Sequence, residues 1–268
     1  MFDLHAYLAG LAAIVGLALI TWIASIYKRD VSIVDSLWSI LLLAAGIVYV
    51  QQTDEASSRE TLMIVLVTVW ALRLAIYLTV RNWGAAEDRR YQKIRARHQP
   101  NFAFKSLFIV FLLQGVLAWI VSMPLLAVAA SAAPINWIDY VGAAAVLVGL
   151  LFETIGDWQL TRFKAIPVNH DQVMDQGLWR YTRHPNYFGE CCVWWGFYLL
   201  AVAGGGWWSA VGPLLMTLLL LRISGVALLE RDIAKRRPGY RRYMEQTNAF
   251  FPGPLRPAPQ TTAMRGND

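Results

Sequence analysis

The chain has 268 residues, 57% of them hydrophobic and 16% charged, with 12 Trp and a mean hydropathy of +0.41, whereas an average globular domain carries roughly a quarter charged residues. The apolar excess excludes disorder, a collagen-like repeat and a coiled coil, and the two cysteines, adjacent as Cys191 and Cys192, exclude a disulfide scaffold and read as buried free thiols. The formal net charge of +6 then has to be read from where the basic residues fall along an all-α membrane protein.

A helix crossing hydrocarbon needs about 20 mostly apolar residues. Seven stretches meet that condition: 5–27, 31–50, 61–80, 105–129, 135–156, 185–203 and 207–229. The first is too long in its apolar part, and too poor in basic residues at its start, to read as a cleaved signal. Pro124 is expected to end or kink the fourth helix. Gly142, Gly149 and Gly156 recur every seven residues along the fifth, the spacing of a close helix contact. The chain reads as one seven-helix domain over 1–252 followed by a flexible tail at 253–268, rich in Pro, Gln, Thr and Gly.

Basic residues near span ends are retained in the cytoplasm. Arg59 alone lies in a loop on one side, Arg73 and Arg222 lie within spans, and every other Lys and Arg falls on the opposite side. This places the N-terminus outside, the C-terminus inside, and residues 27–30, 81–104, 157–184 and 230–268 in the cytoplasm. The clusters at 89–97 and 235–242 come without a nucleic-acid recognition module, so membrane lipid is the expected partner and nucleic acid is not. No metal-ligand spacing, Walker loop or dinucleotide glycine motif is present.

Ionisable groups inside spans are costly and face a bundle interior or a watery cavity. Within the spans or one residue past their ends they include Asp35, Arg73, Glu153, Asp157, Glu190, Arg222 and Glu230, most of them near the cytoplasmic ends of the last three spans. Glu153 with Asp157, and Asn186 with Glu190, stand four apart on one helix face. Such acids either neutralise a neighbouring Arg or line a site. Pro185 suits the first turn of the sixth helix, whose free amides, beside Arg180, Arg183 and His184, favour an anionic group. Tyr181, Tyr187, Asn186 and Glu190 add hydrogen-bonding groups for an amide or a ribose. Gln114 bonds another helix or lines a substrate cavity, and the Glu87–Tyr91 loop closes over a cofactor or is a solvated turn.

Four segments carry a resemblance: Ser32-Ile-Val-Asp-Ser-Leu-Trp38, Asp157-Trp-Gln-Leu-Thr-Arg-Phe-Lys164, the run from Gly177 to Glu190, and Leu221 to Glu230 followed by Arg237-Pro-Gly-Tyr240. Together they resemble DUF1295, the steroid 5α-reductase-like membrane family. The resemblance implies that the last three helices, about 135–252, hold NADPH, and that about 1–130 enclose a lipophilic cavity. By it, Asn186 and Glu190 contact the nicotinamide part and Asp157 and Arg222 are the acid and arginine of the fifth and last helices. Arg162 or Lys164 lies near the phosphates, with Tyr181, Arg183, His184, Tyr187 and Glu230 around the same cofactor.

Asp35 stands where steroid reductases carry a catalytic Glu, with Trp38 beside it toward the substrate. The implied reaction is hydride transfer to the β-carbon of an enone, with Asp35, kept protonated by desolvation, donating to the oxygen. The steroid enzymes pair that Glu with a Tyr on the third helix. Here the matching region offers Trp70, Arg73 or Tyr77 instead, Glu153 replaces an Asn, and Val226 and Glu230 replace a His and a Tyr.

The Arg-His-Pro-x-Tyr-x-Gly-Glu motif is also similar to isoprenylcysteine carboxyl methyltransferases and phospholipid methyltransferases, which implies S-adenosylmethionine as the alternative cofactor. The remaining expectations are a monomer that takes a lipophilic substrate from the bilayer, in a bacterial inner membrane, with its site open to the cytoplasm.

Overall fold

In the computed structural model, residues 2–53, 57–169, 171–223, 230 and 239–256 are described, and among them every regular element is helical. The helices are α1 (Leu4–Lys28), α2 (Ile33–Gln51), α3 (Ser58–Asn82), α4 (Arg89–Arg97), α5 (Phe102–Val121), α6 (Met123–Ala129), α7 (Trp137–Lys164), α8 (Pro185–Ala203), α9 (Trp207–Ile223) and α10 (Gly239–Gln246). Five of them, α1, α2, α3, α5 and α7, are long and apolar enough to cross a membrane. The sixth expected span coincides with α8. The seventh is described only as far as Ile223, and Val226 and Arg237 lie outside the described residues.

Local chemistry sets most boundaries. Asp3 caps α1 by accepting from the Ala6 amide at 3.0 Å. Ser57 and Glu60 form a reciprocal capping box at the start of α3. Pro124 stands in the first turn of α6, so the long fourth apolar stretch breaks at Ser122 into α5 and α6. α7 runs eight residues past the expected end at 156. Its last turns are amphipathic instead of apolar, with Trp158 and Arg162 exposed and Asp157 buried, so hydropathy alone cuts them off.

The chain divides into two compact units, Met1–Val146 with Trp194–Leu215, and Leu147–Val193 with Met216–Asp268. In the first, α1 packs on α2, α2 on α3, and α5 and α6 against both α1 and α2 or α2 and α3. A core of Ala18, Val31, Val34, Phe102, Val110 and Phe111 closes around the ring of Tyr91 from α4. Trp70 is fully buried edge-on to Trp194, with ring centroids 5.4 Å apart. Tyr27 and Trp83 are exposed at the C-terminal ends of α1 and α3, and Trp137, Tyr140 and Trp207 at the starts of α7 and α9, the two levels at which aromatic belts form.

In the second unit the glycine spacing of α7 is used as expected. A Cβ on Gly149 would lie 2.5 Å from the Gly189 carbonyl of α8, so only glycine permits this approach.

Candidate functional site

Two clusters of polar side chains stand out, one in each unit. The first begins with a turn. Asp30 accepts from the Ser32 amide at 2.8 Å, which starts α2 and sets Asp35 on its first turn. Opposite it, Asp88 caps α4 through the Arg90 amide at 2.8 Å. Glu87 accepts from the Val31 amide at 2.9 Å and from the Arg95 guanidinium at 2.7 Å, tying α4 to the α1–α2 turn.

Arg90 and Tyr91 then meet Asp35. The Tyr91 hydroxyl donates to Asp35 Oδ1 at 2.6 Å, Arg90 Nη2 donates to Oδ2 at 2.7 Å, and Gln114 Nε2 donates to the Tyr91 oxygen at 3.2 Å. Burial pushes the Tyr91 hydroxyl upward, the charge of Asp35 pushes it further, and it keeps its proton throughout the physiological range. Arg90 is partly buried, which lowers its basicity, but Asp35 and Asp88 outweigh this and hold it charged.

This geometry revises the expected division of labour. Asp35 accepts at both oxygens, from Arg90 and from the one proton of the Tyr91 hydroxyl, so within this cluster it is an acceptor and not a donor. Trp70, Arg73 and Tyr77 are not among the partners of Asp35: Trp70 faces Trp194, and Arg73 lies 5.5 Å over the Tyr77 ring. Trp38 is half-buried on α2, and Gln114 is bonded to Tyr91. Tyr91 sits on a nine-residue helix too polar to register as a span, so hydropathy gives no reason to set it beside Asp35. The signal was available as Asp88, a helix-capping type, followed by Tyr91 and Ile94 three apart on one face.

The second cluster lies where the segment before α8 meets the C-terminal part of the chain. Thr182 Oγ1 donates to the Phe250 carbonyl at 2.8 Å, the Arg183 amide to the Asn248 carbonyl at 2.9 Å, and the Gly253 amide to the Tyr181 carbonyl at 3.0 Å. The Tyr243 hydroxyl donates to the Trp179 carbonyl. Residues 253–256 of the expected tail are therefore held by the Gly253 bond and by the Arg256 amide on Gln246; residues 257–268 lie outside the described residues.

Arg183 is buried. Its Nε donates to Glu230 Oε1 at 2.7 Å, Nη2 to Oε2 at 3.1 Å and Nη1 to the Met244 carbonyl at 2.9 Å. His184 Nε2 meets the same Glu230 at 3.1 Å, and its ring stacks on Tyr187 at 5.5 Å. Asn186 Nδ2 reaches Asp157 Oδ1 at 3.4 Å, and its own oxygen accepts from the Tyr187 amide.

Asp157, Glu153 and Glu190 are buried, whereas Arg162, Lys164, Arg180, Tyr181 and Arg222 are exposed. The structure thus brings Asp157 to Asn186, and Arg183 and His184 to Glu230. Arg162 instead covers the Trp158 ring at 5.1 Å.

Burial raises the Glu230 carboxyl, but hydrogen bonds from His184 and Arg183 and the charge of Arg183 outweigh it and hold the group below its ordinary value of 4.5. A carboxylate depressed in the folded state contributes stability above its unfolded value and loses it as pH falls through the folded one. Thermal unfolding in detergent is therefore expected to show a loss of stability below about pH 4.5 that is shallower in Glu230→Gln, a variant already less stable at pH 7. Parallel acid limbs in the two proteins would remove this assignment.

A family model described as "Protein of unknown function (DUF1295)" matches residues 21–247, so the chain belongs to this family of helical proteins. It is 24% identical over 285 residues to the fission yeast (Schizosaccharomyces pombe) "Uncharacterized protein C594.04c", covering 94% of this chain and 81% of the relative. No solved structure matches it.

Proposed function

We propose that the chain is a membrane enzyme that reduces a C=C bond conjugated to a ketone in a lipophilic, steroid-like substrate, with NADPH as the hydride source. The observation that carries this reading is Tyr91, a hydroxyl seated in an apolar core and oriented by Asp35 and Gln114. Conjugate reduction builds negative charge on the ketone oxygen, and a preorganised donor in a dry site stabilises that charge most. The Tyr91 hydroxyl, which gives its one proton to Asp35 in this structure, rotates to give it to that oxygen when the ketone binds. Asp35 orients the hydroxyl, and Arg90 neutralises Asp35 so that no uncompensated negative charge faces the developing oxyanion. Asp35 is thus a positioning residue and Tyr91 the group that touches substrate.

The residue types of the second unit fit a dinucleotide. Exposed Arg162, Lys164 and Arg180 suit phosphates, and Asn186 beside buried Asp157, with Tyr187 and Glu190, suits an amide and a ribose. When bound, NADPH supplies the hydride. Arg183, His184 and Glu230 act here by holding the segment 177–187 in place, since Arg183 is spent on Glu230 and on carbonyls. Arg222, exposed on α9, is assigned to the phosphates as well.

In the same reading the chain has seven spans, its N-terminus outside and its basic ends in the cytoplasm of a bacterial inner membrane, and works as a monomer. The exposed aromatics at both helix-end levels support the placement of the spans, and the one-sided distribution of Lys and Arg supports the orientation.

One observation favours a second reading. The acids Glu153, Asp157 and Glu190 are buried within one unit, and such carboxylates suit a cationic sulfonium, hence S-adenosylmethionine and methyl transfer to a lipid.

The two readings separate in a thermal-shift titration of protein in mild detergent. A ligand at 100 times its Kd stabilises the folded state by about 2.7 kcal/mol. NADPH is expected to raise the melting temperature and S-adenosylmethionine to leave it unchanged, with the shift reduced in Asn186→Ala. Stabilisation by S-adenosylmethionine alone overturns the reductase.

A further inference from the structure

The end of the first unit that carries Asp35 has a second feature that the reductase reading does not use. A cleft of about 300 Å³ opens between the C-terminus of α1 and the start of α5. Its walls include Ile26, Val31, Phe102 and Ala103, and Arg29 and Arg95 belong to its lining.

The two arginines differ in what they already hold. Arg95 gives Nε and Nη2 to Glu87, at 2.9 and 2.7 Å, and lies 4.5 Å over the Phe102 ring, while its Nη1 has no hydrogen bond among the described residues. Arg29 closes α1 in the left-handed region at φ 54°. It is exposed, and its guanidinium has no hydrogen bond or ion pair among the described residues. Lys28 beside it is exposed as well, and the four acids named at this end are engaged: Asp30 with Ser32, Asp35 with Arg90 and Tyr91, Glu87 with Arg95, Asp88 with Arg90.

We propose that this cleft binds the phosphate of an anionic phospholipid. Two guanidiniums at an apolar cavity match a phosphate that carries a hydrocarbon chain. A free inorganic anion would use the arginines but gain nothing from Ile26, Val31 and Phe102. The flanking surface is also that of a membrane interface, with Ile26 exposed and Tyr27 85% exposed immediately before Lys28 and Arg29. The phosphate bridges Arg29 and Arg95, and the chain runs along Ile26 and Phe102.

Occupancy reaches Asp35 through the covalent geometry of α4. Arg95 and Tyr91 stand four apart, and Glu87 links Arg95 to the Val31 amide at the head of α2. A lipid that fixes Arg95 fixes α4 against α2 and so steadies the Tyr91 contact with Asp35. This inference does not depend on which cofactor the protein uses.

The test is hydrogen exchange of residues 87–106 in the full chain, reconstituted in nanodiscs of phosphatidylcholine alone or with phosphatidylglycerol added. Phosphatidylglycerol is expected to slow exchange across α4 about tenfold in the wild type, as a charge-assisted contact of this kind implies. In Arg29→Gln, a change at a guanidinium with no hydrogen bond or ion pair among the described residues, the effect is expected to shrink to less than about threefold, with exchange in α2 and α3 unchanged. Millimolar inorganic phosphate added to phosphatidylcholine discs is expected to do nothing. Equal exchange in both lipids, full protection retained in Arg29→Gln, or protection by inorganic phosphate alone each overturns the proposal, the last by making this a site for a soluble anion.

Discussion

Replacing Arg59 by methionine is expected to destabilise the protein by about 3–5 kcal/mol, the cost of removing one partner from a buried ion pair. Arg59 and Asp139 are both fully buried. The guanidinium gives Nε and Nη2 to Asp139, at 2.7 and 2.9 Å, and spends its other protons on Ser131 Oγ at 3.1 Å and on the carbonyls of Ala133 and Pro134, each at 2.8 Å. Methionine would leave Asp139 as a buried carboxylate without its cation and would orphan two carbonyls.

Lysine is expected to rescue little, because a point charge cannot reproduce the planar fork. The double variant Arg59→Met with Asp139→Leu is expected to recover more than half of the loss, since replacing both partners removes the uncompensated charge. Denaturation in graded SDS on the purified protein checks the series. A double variant as unstable as Arg59→Met would show that the shape of the site, and not its charge balance, sets the cost.

The second large effect concerns turnover. Tyr91→Phe keeps the ring in its apolar core and removes only the hydroxyl, so the fold and cofactor affinity are expected to survive. The rate is expected to drop about 10²- to 10³-fold, the usual cost of one preorganised donor to a developing oxyanion. Asp35→Ala is expected to cost a similar factor by freeing the hydroxyl. The double variant is expected to be scarcely worse than either single one, because the two act as one unit. Single-turnover kinetics separate this from weakened binding. Full activity in Tyr91→Phe would exclude the hydroxyl from the chemistry, and retained activity in both Asp35→Asn and Asp35→Ala would exclude the carboxyl.

The parts of this architecture that depend on neighbours along the chain were legible in the sequence. Five apolar runs appear as long helices, α8 begins at Pro185 and ends where expected, Pro124 marks the break between α5 and α6, and the glycine spacing of α7 marks a close contact. What was not legible depends on pairing across the fold. Arg59 reads as a lone cation in a loop because Asp139 lies 80 positions away.

Arg183 reads as an anion ligand for the same reason. The bonds that occupy it come from Glu230 and the 244–248 segment, and no local pattern announces them. The sequence pairs Asp35 with α3, where Tyr77 instead lies beneath Arg73 and Arg81. The partner comes from α4, a helix that hydropathy cannot see because its outer face is Arg, Gln and Lys.

The proposed hydride transfer from NADPH to a conjugated ketone, with Tyr91 at the oxygen, is open to a label-transfer experiment. Purified protein in mild detergent is given NADPH carrying deuterium at both nicotinamide C4 positions and a lipophilic 4-en-3-one sterol, and the product is analysed by mass spectrometry and NMR. One deuterium is expected on the β-carbon of a saturated ketone, formed by the wild type and nearly lost in Tyr91→Phe. Product formed without the label, or methylated lipid formed from S-adenosylmethionine with NADPH untouched, would contradict it.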